Sequence, residues 1–317
     1  MVLDRRRLLL GSAALALTGC AELPEPLVRD TRPPKEGGIG GTGIIGILTE
    51  FGSVIVGGRR VALDGATEVS DVFGPVSQSA LVRGHALTVE ALGPPEALTA
   101  QRIRIDYPLI GPVERVAEDG RSLRVGGVEV VLEPGVSTLA QPGMRAAVSG
   151  LWRGRRVIAS RVEAPLGEGL DVLAGTWGAG LPALGIQGVA VRSAARPAQG
   201  SYVSALGRFE GGAFVAETLQ EGRFSEDAPL QRLAVEGYLI ARPGAPAGFA
   251  ISGLGHSFDA ASRVSPLAGT RALFVGPYTG EFAVRFGLAL PEGTKARRAA
   301  IGRAVDVASL PGAVATR

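Results

Sequence analysis

Cysteine is nearly missing from this chain: Cys20 is the only one in 317 residues. One thiol excludes an internal disulfide. Histidine is almost as scarce, with His85 and His256 far apart in sequence, so no zinc- or copper-type ligand cluster can be assembled from the sequence. No Asp-rich loop has the spacing of a calcium site either. Aromatic residues make up only 5% of the chain, and no helical periodicity runs for any length beyond the first twenty positions. One-sided charge is also lacking. The pI near 9.4 leans on Arg5, Arg6 and Arg7, and without residues 1–19 the formal charge falls from +3 to +1. A nearly neutral body does not advertise a polyanion partner, and no nucleic acid is expected. No metal, no cofactor and no catalytic residue is assigned.

Glycine and proline are abundant, at 47 and 21 residues. That composition suits many short strands joined by tight turns. The stretch from Gly43 to Leu63, GIIGILTEFGSVIVGGRRVAL, shows the pattern. Apolar and small or polar residues alternate, β-branched residues hold the centre, and Gly57-Gly58 breaks the run, which predicts strand, tight turn, strand. A second Val-Gly-Gly turn returns at Val125, Gly126 and Gly127. The hairpins VSGLWRGRRVIASRV and VSALGRFEGGAFVAETL match in pattern and nearly in length, which marks an internal repeat. The predicted fold class is all-β: tandem small antiparallel β-barrel (OB-like) domains after an N-terminal signal helix and an extended linker. The predicted divisions are 1–19 signal peptide, 20–38 Pro/Gly-rich tether, 39–107, 108–167 and 168–225 as three β-barrel units, 226–291 as a fourth β region with a weak repeat signal, and 292–317 as a basic, solvated tail.

The leader has its own logic. Asp4 to Arg7 forms a charged head, Leu8 to Leu17 a short apolar run, and Leu17-Thr18-Gly19-Cys20 a close. The apolar run falls short of the ~20 residues that span a bilayer, and it fits a signal peptide. The last four residues resemble the bacterial lipobox, which implies cleavage before Cys20 and lipidation of its thiol, with Leu17, Thr18 and Gly19 as the peptidase motif. Arg5-Arg6-Arg7-Leu8-Leu9 also resembles a twin-arginine export motif, with Asp4 departing from it. Ala21 after the cysteine favours the outer membrane by analogy with enteric sorting. The expected location is the cell envelope, lipid-anchored and facing the periplasm, with the proline-rich tether as spacer.

The segment VAEDGRSLRVGGVEVVLEPGVSTLAQPGMRAAVSGLWRGRRVIASRVEA resembles a bacterial domain of unknown function catalogued as number 5666, as does the GGIGGTGI opening before ILTEFGSVIV. The resemblance covers about Gly37 to Ala164. It implies tandem small β-domains in exported proteins and transfers no catalytic residue.

Three further patterns carry potential chemistry. Gly38, Gly40 and Gly43 have dinucleotide-fingerprint spacing, but a strand follows them where a helix N-terminus would be needed. His256 and Ser257 in LGHSFDAAS look superficially like a lipase elbow, without its second glycine, and supply the alternative reading of an envelope hydrolase. Arg59, Arg60, Arg153, Arg155 and Arg156 beside Trp152 form the candidate binding surface, where arginine and an aromatic could take an anionic glycan. Asp64, Glu68, Asp71 and Glu90 read as exposed. The leading expectation is a non-catalytic binding or scaffold module, anchored to the membrane through Cys20, with an envelope protein, peptide or glycan as partner.

Overall fold

The computed structural model describes residues 28–29, 40–50, 54–165, 169–179, 184–242, 247–291, 293, 296, 297, 299 and 300. Apart from two 3-10 turns and four helical positions between 296 and 300, the regular structure among them is strand. The fold is all-β and built from small barrels.

A short strand, β1 (Val28–Arg29), comes first. The first unit holds β2 (Gly41–Glu50), β3 (Val54–Val56), β4 (Arg59–Ala62), the added hairpin β5 (Glu68–Asp71) and β6 (Gly74–Pro75), then β7 (Ala86–Leu92) and β8 (Leu98–Asp106). Five of these strands close a ring, β2-β3-β4-β8-β7 and back to β2. All neighbours are antiparallel except β4 and β8. This is a Greek-key barrel of the OB type, in which strand 3 meets strand 5 in parallel.

The second unit repeats the plan with β9 (Leu109–Val116), β10 (Ser122–Val125), β11 (Val128–Leu132), β12 (Arg145–Arg153) and β13 (Arg156–Glu163). Its ring runs β9-β10-β11-β13-β12, again with a parallel 3–5 seam. The third unit has β14 (Asp171–Thr176), β15 (Gly185–Ile186), β16 (Val189–Arg192), β17 (Tyr202–Glu210) and β18 (Ala213–Glu221). It follows the same order, with a single bridge from Trp177 to Ile186 joining strands 1 and 2.

Local sequence explains these hairpins. The turn between strands 2 and 3 has two residues with positive φ in each case, Gly57-Gly58, Gly126-Gly127 and Gln187-Gly188. Primed turns of that kind match the twist of the flanking strands and favour glycine. The matched hairpins of the sequence repeat are the strand 4–5 hairpins of the second and third units. Each carries a register shift at a glycine four residues before its turn, Gly150 and Gly207. A Cβ at either position would run into a carbonyl of the facing strand, that of Ile158 or Val215.

The fourth unit has β19 (Leu230–Arg242), β20 (Gly248–Ile251), β21 (His256–Asp259), β22 (Arg271–Pro277) and β23 (Phe286–Ala289). The pairing order β21-β20-β19-β22-β23 is the same, but among the described residues strands 3 and 5 do not pair. In the first three units strand 3 pairs with the opening residues of strand 5: Leu98 and Thr99, Arg156 to Ala159, Phe214 and Val215. In the fourth, the opening residues Phe286 and Gly287 pair with β1. Two residues of the expected tether are thus a sheet strand and not spacer. Strand 5 is also shorter in the fourth unit, with 4 residues against 9, 8 and 9 in the first three. Pro291, which has no amide to continue a ladder, follows shortly after it.

The units are joined through their first strands. Strand 2 pairs with only the later part of each long first strand, so the earlier part keeps a free edge. β19 fills that edge on β2 in parallel, from Leu230 opposite Gly41 to Val235 opposite Ile45. β14 does the same on β9, antiparallel, at Leu109 and Ile110. The fourth region therefore shares a sheet with the first unit. The core of the first unit also takes in Ile110, Ala147, Val172 and Ala234 from the other units, the second and third units share a core, and the fourth packs around Leu239, Ile251, Leu267 and Phe274 with Ile45 of the first. Ile47, Ala86, Leu151, Ile158 and Tyr238 fill the junction of the first, second and fourth units. Burial of each large aliphatic side chain among them contributes about 1.5–3 kcal/mol.

Candidate functional site

The charged residues sort into ties between units and an open groove on the fourth. Among the described residues five carboxylates are buried: Glu90, Asp106, Glu133, Asp171 and Glu236. Each is met by a group from another unit or from a connecting segment. Glu90 accepts from the Ser225 amide at 2.6 Å, which corrects its expected exposure. Asp106 takes Arg223 at 2.7 Å, Arg104 at 2.9 Å and the Thr88 hydroxyl at 2.5 Å. Burial raises the Asp106 carboxyl, but Arg223 and Arg104 outweigh burial and hold it below its usual range. The Arg223 guanidinium also lies 3.9 Å over the Tyr202 ring, so the first and third units meet there.

Glu133 and Glu236 form a second buried cluster with Arg271 and Arg297. Arg271 bonds Glu133 and donates to Glu236 at 2.9 Å, while Arg297 donates to Glu133 at 2.8 Å. Glu236 also accepts from the Ile47 amide at 3.1 Å. Burial pushes the Glu133 carboxyl up, and the two guanidiniums overcome that and bring it down. Arg297 and Ala300 are buried, so the start of the expected solvated tail is inside the protein. Asp171 is held by Arg145 at 2.8 Å, joining the third unit to the second.

A third tie centres on Glu163. His85 contacts it at 2.8 Å through Nε2, Tyr107 donates at 3.1 Å and Arg161 at 2.6 Å. The Val82 amide donates to His85 Nδ1 at 3.3 Å, which assigns the ring proton to Nε2. Burial raises the Glu163 carboxyl, yet the bonds from His85 and Arg161 bring it to about 2.

The candidate binding surface does not assemble as expected. Trp152 is 2% exposed, and its indole donates to the Ala174 carbonyl at 2.7 Å. Arg59 is 7% exposed, and burial together with the charge of Arg232 lowers its pKa. Arg60, Arg153, Arg155 and Arg156 are exposed. With the tryptophan in the core, the aromatic partner of a stacking site is gone. Cys20, Leu17, Thr18 and Gly19 lie outside the described residues.

The groove is on the fourth unit. Its volume is about 660 Å³, and it is lined by His256, Ser257, Phe258 and Asp259 of β21, by Gly280, Glu281 and Phe282 between β22 and β23, and by Arg242. His256 packs edge-on against Phe282, with centroids 5.3 Å apart. Burial lowers the His256 pKa and the charge of Arg223 lowers it further, to about 4, so the imidazole is neutral at pH 7. His256 and Ser257 are neighbours on a strand, so their side chains point to opposite faces. Among the described residues no hydrogen bond joins them, and Ser257 sits within a strand instead of on a strand-to-helix turn. Nor do three metal-ligating side chains cluster anywhere among those residues. No helix of the described residues is long and apolar enough to cross a membrane.

Sequence reasoning singled out two of its lining residues, His256 and Ser257, but as a hydrolase pair, and missed the groove itself. A second signal was the weaker repeat in residues 226–291. No family model, curated protein or solved structure matches the chain.

Proposed function

We propose that this chain is a non-catalytic binding module of the bacterial cell envelope, held to the membrane through acylated Cys20 and facing the periplasm from the outer membrane. One observation carries the non-catalytic reading. All five carboxylates buried among the described residues are engaged by partners from elsewhere in the chain, so these groups serve as joints. The first and fourth units are joined strand to strand, as are the second and third, and an open groove on the fourth suits recognition. The lipobox-like Leu17 to Cys20 and the likeness to exported proteins of the family catalogued as number 5666 support the location.

Two measurements test the reading. Mass spectrometry of the membrane-extracted protein should find Cys20 acylated, and Cys20→Ser should move the protein to the soluble fraction. An unacylated Cys20 would end the anchoring half. Assays of the purified chain on ester, peptide and glycosidic substrates should show no turnover. Turnover abolished by Ser257→Ala would end the non-catalytic half.

A further inference from the structure

The open barrel leaves a strand edge with no counterpart in the other three units. β21 pairs with β20 on one side, Gly248 opposite Asp259 through Ile251 opposite His256. An antiparallel partner engages the backbone groups of alternate residues only, so half of the N–H and C=O groups of β21 face its other edge. Among the described residues no strand pairs there.

The groove runs along that edge. Successive side chains of a strand point to opposite faces, so a cavity on one face would touch every second residue. This one is lined by all four residues of β21, His256, Ser257, Phe258 and Asp259. The opposite wall is the β22–β23 connection, at Gly280 to Phe282.

We infer that this groove binds an extended polypeptide segment of a partner protein, which adds a strand to β21. The inference rests on reading the chain as a binding module. Three observations select the occupant. Backbone donors and acceptors at an unpaired edge match an extended main chain and supply affinity for any sequence. The same seam already takes such a segment, since β1 pairs antiparallel with Phe286 and Gly287, the positions that meet strand 3 in the other barrels. Side-chain selection then follows from the lining. Phe258 and Phe282 offer apolar contact, and the exposed Asp259 and Glu281 outnumber Arg242, which favours a lysine or arginine in the partner. The preferred ligand is an extended peptide with apolar residues at alternate positions and at least one basic residue.

The test pans a phage-displayed library of random dodecapeptides against the full chain in detergent and against its Asp259→Lys/Glu281→Lys variant. Both substitutions are at exposed positions, so the variant folds as the parent does. The wild-type chain should enrich alternating apolar peptides containing Lys or Arg, and the variant should enrich Asp or Glu and bind the parental peptides about tenfold more weakly. Hydrogen exchange should show new protection of β21 amides when a synthetic copy of an enriched peptide is added. Enriched peptides that ignore the charge reversal and leave β21 exchange unchanged would overturn the groove assignment and leave the binding-module reading standing. Failure of the wild-type chain to enrich anything over a blank surface would overturn the groove assignment too. The module reading would then depend on companions cross-linked to the native membrane protein.

Discussion

The second and fourth units follow one strand order and end differently. In the second, β11 lies alongside the opening residues of β13 over four consecutive pairs, and the barrel has no edge there. In the fourth, β21 and β23 do not pair among the described residues, and the opening residues of β23 are taken by β1 from the far end of the chain. The turns differ in step. Two residues, Gly126 and Gly127, separate strands 2 and 3 of the second unit, whereas Ser252 to Leu254 and Gly255 make a longer connection in the fourth. The lesson is that the shared order does not guarantee closure. Closure needs the opening residues of strand 5 to meet strand 3, and where another segment takes those residues the edge of strand 3 becomes available for recognition.

The most severe way to break this comparison is at the buried charges that tie the two units together. Arg271 is fully buried against Glu133 of the second unit and Glu236 of the fourth. Arg271→Ala leaves two buried carboxylates with less compensation, and we expect a loss of about 3–5 kcal/mol in urea unfolding. Replacing all four members of the cluster with apolar residues of similar volume should recover much of that loss. A single Arg271→Ala within 1 kcal/mol of the parent (on the order of a surface substitution) would show that the cluster is not buried as described.

The next largest effect belongs to closure itself. Gly150 sits at the register shift where β12 meets β13, and an added methyl would meet the Ile158 carbonyl. Gly150→Ala should cost about 1–3 kcal/mol through forced backbone movement. Gly154→Ala, by contrast, has open space around its Cβ and only its positive φ to oppose it, so about 1 kcal/mol is expected. Equal costs at the two sites would mean that backbone conformation alone, and not the close strand approach, sets the price.

These contrasts also mark what could be read before any coordinates. Turns such as Gly57-Gly58 and Gly126-Gly127 were legible because a primed turn is fixed by two adjacent residues. The repeat of the strand 4–5 hairpins was legible for the same reason, since its glycines and apolar alternation are local. Trp152 was misplaced because it is flanked by Arg153, Arg155 and Arg156, which do face solvent, and composition near a turn does not tell which face a single residue takes. The pairing of Glu133 with Arg271 spans 138 residues and depends on how units dock, for which no short-range pattern exists. The open groove was hidden because it goes with β1, far away in sequence, taking the opening residues of β23, and no short-range pattern marks that exchange.

Acid should separate the units by a smaller margin. The folded pKa of His256 is lowered from 6.5 to about 4, so the unfolded chain binds the extra proton over that interval. Stability from this residue is fully present above about pH 6.5 and is lost as pH falls towards 4. Glu163 is lowered from 4.5 to about 2, so its contribution is present above pH 4.5 and is lost between 4.5 and 2. The fourth unit should therefore weaken before the Glu163 tie does. In thermal unfolding followed against pH, His256→Gln should flatten the upper interval and Glu163→Gln the lower one. A His256→Gln protein that keeps the parental slope between pH 6.5 and 4 would remove the histidine from this account.

The smallest expected effect sharpens the comparison most directly. β1 contributes two residues to the edge of β23, at Val28 opposite Gly287 and Arg29 opposite Phe286. A ladder that short stabilises by about 0.5–1.5 kcal/mol per bond, partly offset by the ordering of the segment. Deleting residues 20–30 from the body should therefore lower stability by about 1 kcal/mol or less. The local consequence is sharper than the global one. Amide exchange at Phe286 and Gly287 should quicken, while Arg156 and Val157, at the start of strand 5 in the second unit, should keep their rates because β11 still covers them. Unchanged exchange at Phe286 and Gly287 would mean that something other than β1 covers that edge. If exchange there slowed instead, β21 would have moved in to pair with β23, and the fourth barrel would be able to close once the N-terminal strand has left it.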